Sequence, residues 1–395
     1  MLIGLDAIPL TEPLAGVGHY TAELARSLAR AAPADEFELV YPSSYPPLDL
    51  NEGPLPLPPN LKPARVHVRA LGRRWFAAGL PRYAGRRGLA LFHGTNYEVP
   101  LWGAGAKVVT VHDLSLLLRP ETHEARRVRR ARRRLPIMLR ASDAVITPTE
   151  CVRREVCEHL RAPASKVFAV PEAARAAFRP AAPAEAEETR RRLGVGREFL
   201  LAVGTVEPRK NLAALLGAFE EVLRARPRSG LQLVIAGGRG WLADPLFEAL
   251  ERSPARGRVV LAGYLRDRDL RALYSSCRLF VYPSLYEGFG LPPLEAMSCG
   301  APVVAGRAPA VAEVAGGAAR LVDADRSEEF ARALLELLED DAARRALAAA
   351  GLRRAAEFSW ERTAQQTLEV YAEALKRKEA DGRGRRQENK KAAES

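Results

Sequence analysis

Short apolar runs alternate with amphipathic stretches along most of the chain. The runs are rich in Val, Leu and Ile, as expected of buried strands. They predict strands at Leu2–Asp6, 38–41, 66–68, 89–93, 107–112, Ala144–Thr147, 167–170, 199–204, 231–237, Val259–Gly263, Leu279–Tyr282, 302–305 and Arg320–Val322. Helical periodicity between them, as at 20–30, 211–225 and 328–338, predicts an α/β fold whose parallel sheets carry helices on both faces.

The length of the chain sets the number of domains. With 395 residues, it is too long for one ordinary core and predicts two domains of roughly 150–200 residues each. A Pro- and Glu-rich linker at 180–189 marks the boundary, whereas the Pro-rich stretch 41–63 reads as a loop insertion. Residues 377–395 are charged and nearly free of large apolar side chains, which predicts a disordered basic tail.

Charge and composition narrow the class of protein. The net charge is +12, of which residues 1–180 carry +9, so the first half suits phosphate-bearing ligands or an anionic membrane surface. A general arginine bias of the sequence explains the excess equally well. No apolar run is long enough to span a bilayer, and the acidic first strand is unlike a signal peptide. Four scattered cysteines indicate thiols in a reducing cytoplasm, and six histidines without ligand spacing indicate no metal site.

Polar and glycine residues follow the strands of the second half, where open α/β sheets bind their ligands. Glu287 and Glu295 flank a glycine-rich turn that opens a helix, so exposed backbone N–H groups and two carboxylates face one region. Such carboxylates suit a polyhydroxy ligand, although each acid alone reads as a solvated surface group. Arg209 and Lys210 precede another helix, where cations are unfavourable unless an anion binds, which predicts a diphosphate site.

The first half offers weaker signals. Gly16 and Gly18 form a glycine loop that follows the first strand region and opens a helix, but Thr21 stands where a dinucleotide fingerprint would have its third glycine. His112 ends a strand and is expected to face the ligand, with a structural His–Asp pair as the alternative. Weaker candidates for acceptor contacts are His93, Asn96 and Asp113.

Residues 126–140 form an arginine-rich helical stretch. Its cations could bind an anionic membrane leaflet or a pyrophosphate-linked lipid acceptor, and a solvated basic helix is equally compatible. Nothing in the sequence matches a nucleic-acid-binding motif. The arginines are Arg126, Arg127, Arg129, Arg130, Arg132, Arg133, Arg134 and Arg140.

These motifs resemble glycosyltransferase family 4, whose two-domain fold is called GT-B. The most specific matches are 203–211 and 283–297, and the likeness extends from Gly16 to Glu361, nearest the bacterial mannosyltransferase-like branch. It implies two Rossmann-like, doubly wound domains facing each other across a cleft. Residues 1–180 would bind the acceptor, 181–360 would bind the nucleotide sugar, and a helix at 361–376 would return to the first domain.

The resemblance also implies roles for individual residues. Lys210 and Arg209 would bind the donor diphosphate, Glu295 the ribose and Glu287 the transferred sugar, while His112 would lie near the reacting carbon. Tyr264 and Leu265 would lie near the base, and the Gly16–Gly18 loop would approach the diphosphate. The implied donor-binding residues are Gly16, Gly18, Gly204, Thr205, Arg209, Lys210, Gly237, Tyr264, Leu265, Glu287, Gly288, Phe289, Gly290, Leu291 and Glu295.

Two positions depart from the family pattern. Thr205 stands where many relatives have a second phosphate-binding arginine, so Arg209 is the expected substitute. The segment 171–174 is Pro-Glu-Ala-Ala, where relatives carry Asn-Gly.

The sequence thus predicts a retaining, metal-independent hexosyltransferase without a cofactor. Its donor would be a nucleoside-diphosphate sugar, with GDP-mannose favoured, and its acceptor a sugar or lipid-linked sugar. We expect a cytoplasmic protein, peripheral on the inner membrane face. The rival interpretations are a GT-B phosphorylase, a sugar-nucleotide epimerase, a dinucleotide oxidoreductase and a non-catalytic basic module that binds polyanions or membranes.

Overall fold

The computed structural model describes residues 1–11, 14, 16–48, 57–68, 74–103 and 105–394. The strands are β1 (Leu2–Asp6), β2 (Glu36–Pro42), β3 (Leu61–Val66), β4 (Leu91–Gly94), β5 (Ala106–Thr110), β6 (Ala144–Thr147), β7 (Val167–Ala169), β8 (Phe199–Val203), β9 (Gln232–Ala236), β10 (Val259–Gly263), β11 (Leu279–Tyr282), β12 (Val303–Gly306) and β13 (Arg320–Val322). The helices are α1 (Gly16–Ala31), α2 (Leu80–Arg87), α3 (Ser115–Leu118), α4 (Ala125–Ala141), α5 (Glu150–Leu160), α6 (Pro183–Arg192), α7 (Leu212–Ala225), α8 (Asp244–Arg252), α9 (Asp267–Ser276), α10 (Leu291–Ser298), α11 (Pro309–Ala315), α12 (Ser327–Glu339), α13 (Asp341–Ala355) and α14 (Trp360–Glu394).

The first compact unit contains Met1–Asp113, Arg130–Glu172 and the chain from Trp360. Its sheet has the order β3-β2-β1-β4-β5-β6-β7, and every pairing is parallel. The chain order reverses between β1 and β4, which makes this the switch point of the sheet. Helix α14 belongs to this unit, where its Tyr371 is buried.

The second compact unit contains Leu114–Arg129 and Ala173–Ser359. Its parallel sheet has the order β10-β9-β8-β11-β12-β13, with the switch point between β8 and β11. Alternating residues of β8 point to opposite faces, because Leu200 packs in one core cluster and Leu201 in the other. Helices therefore cover both faces of this sheet, α7 and α12 on one and α9, α10 and α11 on the other.

Two Rossmann-like parallel-sheet units confirm the predicted α/β fold class. Apart from β3, the predicted strand bounds lie within two residues of the observed ones. The sequence predicts a loop insertion at 41–63 and, after it, a strand at 66–68. Instead β2 and β3 occupy the two ends of that stretch, and Pro63 pairs opposite Leu39 in the edge strand. An edge strand tolerates proline because one side of it needs no N–H donor. The insertion's residues 49–56, with Pro54 and Pro56, lie outside the described residues.

Other segments also differ from expectation. Residues 377–394, for which composition predicts disorder, continue helix α14 in the structure. Ala, Glu, Gln, Lys and Arg all favour helix, so a polar composition alone does not exclude one. The segment Leu114–Arg129 groups with the second unit, although the sequence places it inside the first domain. In that unit the Trp241 indole donates to the carbonyl of Thr122 at 2.9 Å.

Across the described part of the chain, no helix combines the length and the apolar character that crossing a bilayer would require.

Candidate active site

Loops at the carboxyl ends of the strands in the second unit are hydrogen-bonded side by side. The backbone N–H of Gly204, after β8, donates to Ala236 at 3.0 Å, and that of Gly237, after β9, donates to Gly263 at 2.7 Å. Across the switch point, the N–H of Leu285 donates to the carbonyl of Arg209 at 3.0 Å. The sequence-predicted loops after β8, β9, β10 and β11 therefore lie together at one edge of this sheet.

These loops lie so close together that two positions can hold only glycine. Gly204 has a φ of 146°, and a Cβ there would lie 3.2 Å from Cε of Lys210. Gly237 has a φ of 149°, and its Cβ would lie 2.0 Å from the carbonyl oxygen of Gly204. Because side chains are excluded at both positions, the Lys210 side chain can lie across Gly204. Thr205 follows at the same edge.

Lys210, Arg209 and Glu287 meet at the switch point between β8 and β11. Nζ of Lys210 donates to Oε1 of Glu287 at 2.6 Å and to the hydroxyl of Tyr282 at 2.8 Å. Nη1 of Arg209 donates to Oε2 of Glu287 at 2.7 Å, and its Nη2 donates to Oε1 of Glu207 at 2.6 Å. Both predicted cations thus contact the predicted sugar-binding acid, and each carboxylate oxygen of Glu287 has its own cationic partner.

Burial and neighbouring charges shift the pKa values of this cluster in opposite directions. Burial would raise the pKa of Glu287, but Arg209 and Lys210 lower it to about 2, so the carboxylate is ionised at neutral pH. Burial lowers the pKa of Lys210 against the opposing effect of Glu287. For Glu207, burial raises the pKa more strongly than Arg209 lowers it. Buried cations held by carboxylates can exchange those partners for a diphosphate, whose oxygens offer the same charge-assisted hydrogen bonds.

Glu295 lies on α10 and has a different set of partners. Nη2 and Nε of Arg175 lie 3.1 and 3.3 Å from Oε1 of Glu295, while the hydroxyl of Tyr274 lies 3.4 Å from Oε2. Burial raises the pKa of Glu295, and Arg175 opposes that shift. Glu287 and Glu295 therefore have different polar partners.

The turn before α10 holds the remaining residues predicted there. Gly290 has a φ of 101° and precedes the first helical residue, Leu291, so the turn depends on glycine at this point. Gly288 lies in the same turn. The ring of Phe289 is buried edge-on against Phe358, which leaves only its backbone for ligand contact.

Tyr264 and Leu265 follow β10. Tyr264 is 63% exposed, an unusual environment for a large aromatic ring, whereas Leu265 is partly buried. An exposed aromatic ring is of a type that stacks on a base, and the expectation that Tyr264 lies near the base stays a prediction.

In the first unit, His112 is held on two sides. Its Nε2 donates to the carbonyl oxygen of Thr95 at 2.8 Å, and its Nδ1 lies 3.3 Å from Oε1 of Glu172. The rings of Tyr20 and Tyr97 pack against the imidazole, with centroids 4.8 and 5.8 Å away. The His–Asp alternative is not seen, because the carboxylate partner of His112 is Glu172.

The interpretation of His93 as an acceptor contact needs correction. The side chain is fully buried in β4, where Nδ1 lies 2.7 Å from the hydroxyl of Tyr371 and Nε2 lies 2.8 Å from Oγ1 of Thr110. With both nitrogens bonded inside the core, His93 has a structural role. Asn96 and Asp113 are partly exposed in the loops after β4 and β5.

The glycine segment of the first unit opens a helix, as the sequence predicts. Gly16 and Gly18 lie in the first turn of α1. Gly18 is buried, and a Cβ there would lie 2.9 Å from the carbonyl oxygen of Pro9, whereas a Cβ at Gly16 would meet nothing within 4 Å. Packing therefore explains Gly18, and only Gly16 remains open to a ligand.

Sequence reasoning missed several polar partners. Arg175, Asp267 and Glu172 lie far along the chain from the residues they bind, and isolated charged residues carry no pattern that predicts such pairing. The pairing of Glu207 with Arg209 could have been predicted, because Glu207 stands two positions before Arg209 in the same loop.

Comparisons with known proteins show which family the chain belongs to. The family model described as Glycosyltransferase Family 4 matches residues 14–174, and that described as Glycosyl transferases group 1 matches residues 197–340. The O-antigen chain mannosyltransferase B of Escherichia coli is 34% identical over 376 residues, which cover 92% of this chain and 97% of the relative. The chain belongs to glycosyltransferase family 4. This family 4 chain is therefore a glycosyltransferase.

Other relatives are similar over less of the chain or at lower identity. The D-inositol 3-phosphate glycosyltransferase of Kineococcus radiotolerans is 35% identical over 271 residues, 62% of this family 4 chain and 60% of the relative. The crystal structure of HepE from Anabaena with UDP-glucose has a TM-score of 0.75 at 18% identity and covers 94% of this chain and 99% of HepE. WaaG, a glycosyltransferase involved in lipopolysaccharide biosynthesis, has a TM-score of 0.73 at 16% identity, with coverages of 94% and 99%. These structural neighbours share the GT-B fold.

Proposed function

We propose that this glycosyltransferase moves a hexose from a nucleoside-diphosphate sugar to a hydroxyl acceptor and keeps the anomeric configuration. The observation that carries the proposal is the cluster of Arg209, Lys210 and Glu287 at the switch point of the second sheet. Cations at that position suit a diphosphate, and a carboxylate beside them suits the hydroxyl groups of the attached sugar.

The proposed chemistry depends on charge stabilisation. As the bond to the donor diphosphate breaks, Lys210 and Arg209 would stabilise the negative charge that develops on the leaving group. The N-terminus of α10 would add backbone N–H groups to the same anion. The departing phosphate would take the acceptor's proton during attack from the same face. Glu287 and Glu295 would position the donor, and His112 would lie close to the transferred sugar.

Mannose is the favoured sugar, with GDP-mannose as the favoured donor. The support is the 34% identity to an O-antigen chain mannosyltransferase over nearly the whole chain, together with shorter matches to serotype-specific mannosyltransferases WbdA of Escherichia coli. The acceptor would be a sugar or lipid-linked sugar used in polysaccharide or glycolipid synthesis. We place the enzyme in the cytoplasm, in peripheral contact with the inner membrane face through the arginines of α4.

A thermal-shift screen tests the donor. GDP-mannose, UDP-glucose, ADP-glucose and dTDP-glucose are each added to the full chain, because a ligand that binds the native state raises its melting temperature. We expect the largest rise with GDP-mannose and none with free mannose, which lacks the diphosphate. No rise with any nucleotide sugar would contradict the proposal.

Product analysis then tests the reaction. The stabilising donor is incubated with a lipid-linked sugar acceptor, and NMR of the product gives its anomeric configuration. Free nucleoside diphosphate together with an α-glycoside from an α-linked donor is the expected result. A sugar phosphate would indicate a phosphorylase, a changed nucleotide sugar an epimerase, and an inverted product would overturn the retaining mechanism.

A further inference from the structure

Arg175 is buried in the second unit and has two acidic partners. Its Nη1 lies 2.6 and 2.7 Å from the two carboxylate oxygens of Asp267, at the start of α9. Its Nη2 and Nε both face Oε1 of Glu295 on α10. The guanidinium also lies 4.6 Å from the ring centroid of Phe178. Arg175 is therefore fixed on three sides, and it ties Glu295 to a second helix.

The contact with Glu295 is one-sided. Two nitrogens of Arg175 contact Oε1, whereas Oε2 faces the hydroxyl of Tyr274 at the long distance of 3.4 Å. A carboxylate oxygen can accept two hydrogen bonds, so Oε2 retains capacity for a ligand hydroxyl. The arrangement anchors one oxygen to the protein and leaves the other available for the diol of a ribose.

Glu295 needs a cationic partner to serve as an acceptor. It is 6% exposed, and burial on its own raises the pKa of this carboxyl group. A protonated carboxyl would lose acceptor capacity at one of its oxygens, which would weaken its hydrogen bonds to a diol. Among the contacts shown for Glu295, Arg175 supplies the positive charge that opposes this effect.

We propose that Arg175 is a positioning residue for the donor nucleotide, which holds Glu295 ionised and oriented so that its Oε2 receives the ribose hydroxyl groups. The inference rests on the proposed function, because it requires that the second unit bind a nucleoside diphosphate. Arg175 itself would not touch the donor. Its effect would therefore depend on the ribose hydroxyls and disappear without them.

The test compares two nucleotides on Arg175→Met, which keeps much of the side chain's volume without its charge. Calorimetry measures the Kd of GDP, or of the nucleoside diphosphate that the screen selects, and of its 2′,3′-dideoxy form. We expect Arg175→Met to weaken binding of the ribose nucleotide about tenfold and to leave dideoxy binding within about twofold. The affinity of Arg175→Lys for the ribose nucleotide should lie between those of wild type and Arg175→Met. Lysine keeps the positive charge but lacks the planar set of N–H donors of the guanidinium group. In turnover, the donor KM should rise with little change in kcat.

Two further variants control for a structural effect. Arg271→Met removes the ion pair between α9 and Glu185 without touching Glu295, and it should bind both nucleotides like wild type. Asp267→Asn loosens Arg175 from its partly exposed side. Because Asp267 also raises the pKa of Glu295, weaker ribose-dependent binding in this variant would report on the orientation of Glu295 rather than on its ionisation. Arg175→Lys gives the readout should Arg175→Met not fold.

The outcomes separate the two proposals. Wild-type protein that binds no nucleoside diphosphate overturns the proposed function, and this inference with it. If the wild type binds but Arg175→Met and Asp267→Asn bind both nucleotides as tightly, Arg175 does not position the donor. Equal loss of both nucleotides in these variants would show a structural role and would also overturn the inference.

Discussion

At the scale of single residues, Lys210 combines a buried charge with two defined partners, Glu287 and Tyr282. If its ammonium group stabilises the leaving diphosphate, Lys210→Met should lower kcat/KM about 10²- to 10³-fold, as is typical for loss of one preorganised donor. The rate of sugar transfer from the donor identified by thermal shift is the measurement. Arg209 would still neutralise Glu287, so the variant should remain folded.

Lys62→Met is the matched control for Lys210→Met. Lys62 is exposed on the edge strand β3, so the same change of charge and volume there should leave transfer unaffected. Melting curves of both variants would separate a catalytic loss from unfolding. Transfer by folded Lys210→Met at the rate of wild type would remove Lys210 from the proposed mechanism.

Individual site residues could be predicted better than their pairings. Arg209, Lys210 and Glu287 lie in segments that follow strands of the second sheet, and Glu295 lies in helix α10, so local sequence pattern is enough to locate them along the chain. The sequence could not show that Arg175 binds Glu295, 120 positions away, because pairing of single charges depends on the tertiary fold. The same holds for Glu172 and His112.

At the scale of elements, α14 is joined to the first sheet by a buried polar contact. The hydroxyl of Tyr371 lies 2.7 Å from Nδ1 of His93, which is fully buried. Tyr371→Phe should lower the free energy of unfolding by about 1–3 kcal/mol, because it leaves a buried ring nitrogen without its partner. Urea unfolding is the measurement, and Tyr264→Phe at an exposed ring should change stability little.

The same contact predicts a pH dependence. Burial lowers the pKa of His93 to about 3, below its ordinary value of 6.5, so the unfolded chain takes up a proton more readily than the folded one. His93 thus contributes stability above about pH 6.5 that is lost as the pH falls towards 3. His93→Gln, which cannot titrate, should lack this component, and unfolding curves from pH 7 to 5 compare the slopes. Equal slopes would contradict the assignment.

The bounds of a helix or strand could be predicted where the apolar pattern of the sequence matches the residues that are buried in the structure. Most strands are runs of apolar residues buried in parallel sheets, so their bounds follow from the sequence. Strand β3 carries Lys62 and Arg65 without a regular apolar pattern and includes Pro63, so its bounds could not be predicted before its pairing with β2 was known. The start of α1 at Gly16 could be predicted, but the close packing of Gly18 against Pro9 depends on the tertiary fold and could not.

At the scale of the whole molecule, the positive charge is unequally distributed along the chain. The net charge is +12, and exposed arginines recur on α4. Arg126, Arg129, Arg133 and Arg140 follow helical spacing and so share one face of that helix. Other arginines of α4 are engaged within the protein: Arg134 lies 2.7 Å from Glu98, and Arg127 stacks on Trp241. The exposed face is therefore the part of α4 that an anionic membrane could use.

Replacing three of these arginines tests the membrane contact. Each contributes about 1 kcal/mol near an anionic surface, so Arg126→Gln, Arg129→Gln and Arg133→Gln together should weaken binding to phosphatidylserine-containing vesicles about 100-fold. Vesicle co-sedimentation measures this, and wild-type binding should fall when salt is raised, because screening shortens the reach of the surface charge. A triple control at Arg332, Arg345 and Arg353, all exposed on α12 and α13, removes equal charge and should leave binding near wild type. If both triple variants lose binding equally, net charge rather than the face of α4 holds the membrane; if neither loses it, α4 is only a solvated basic helix.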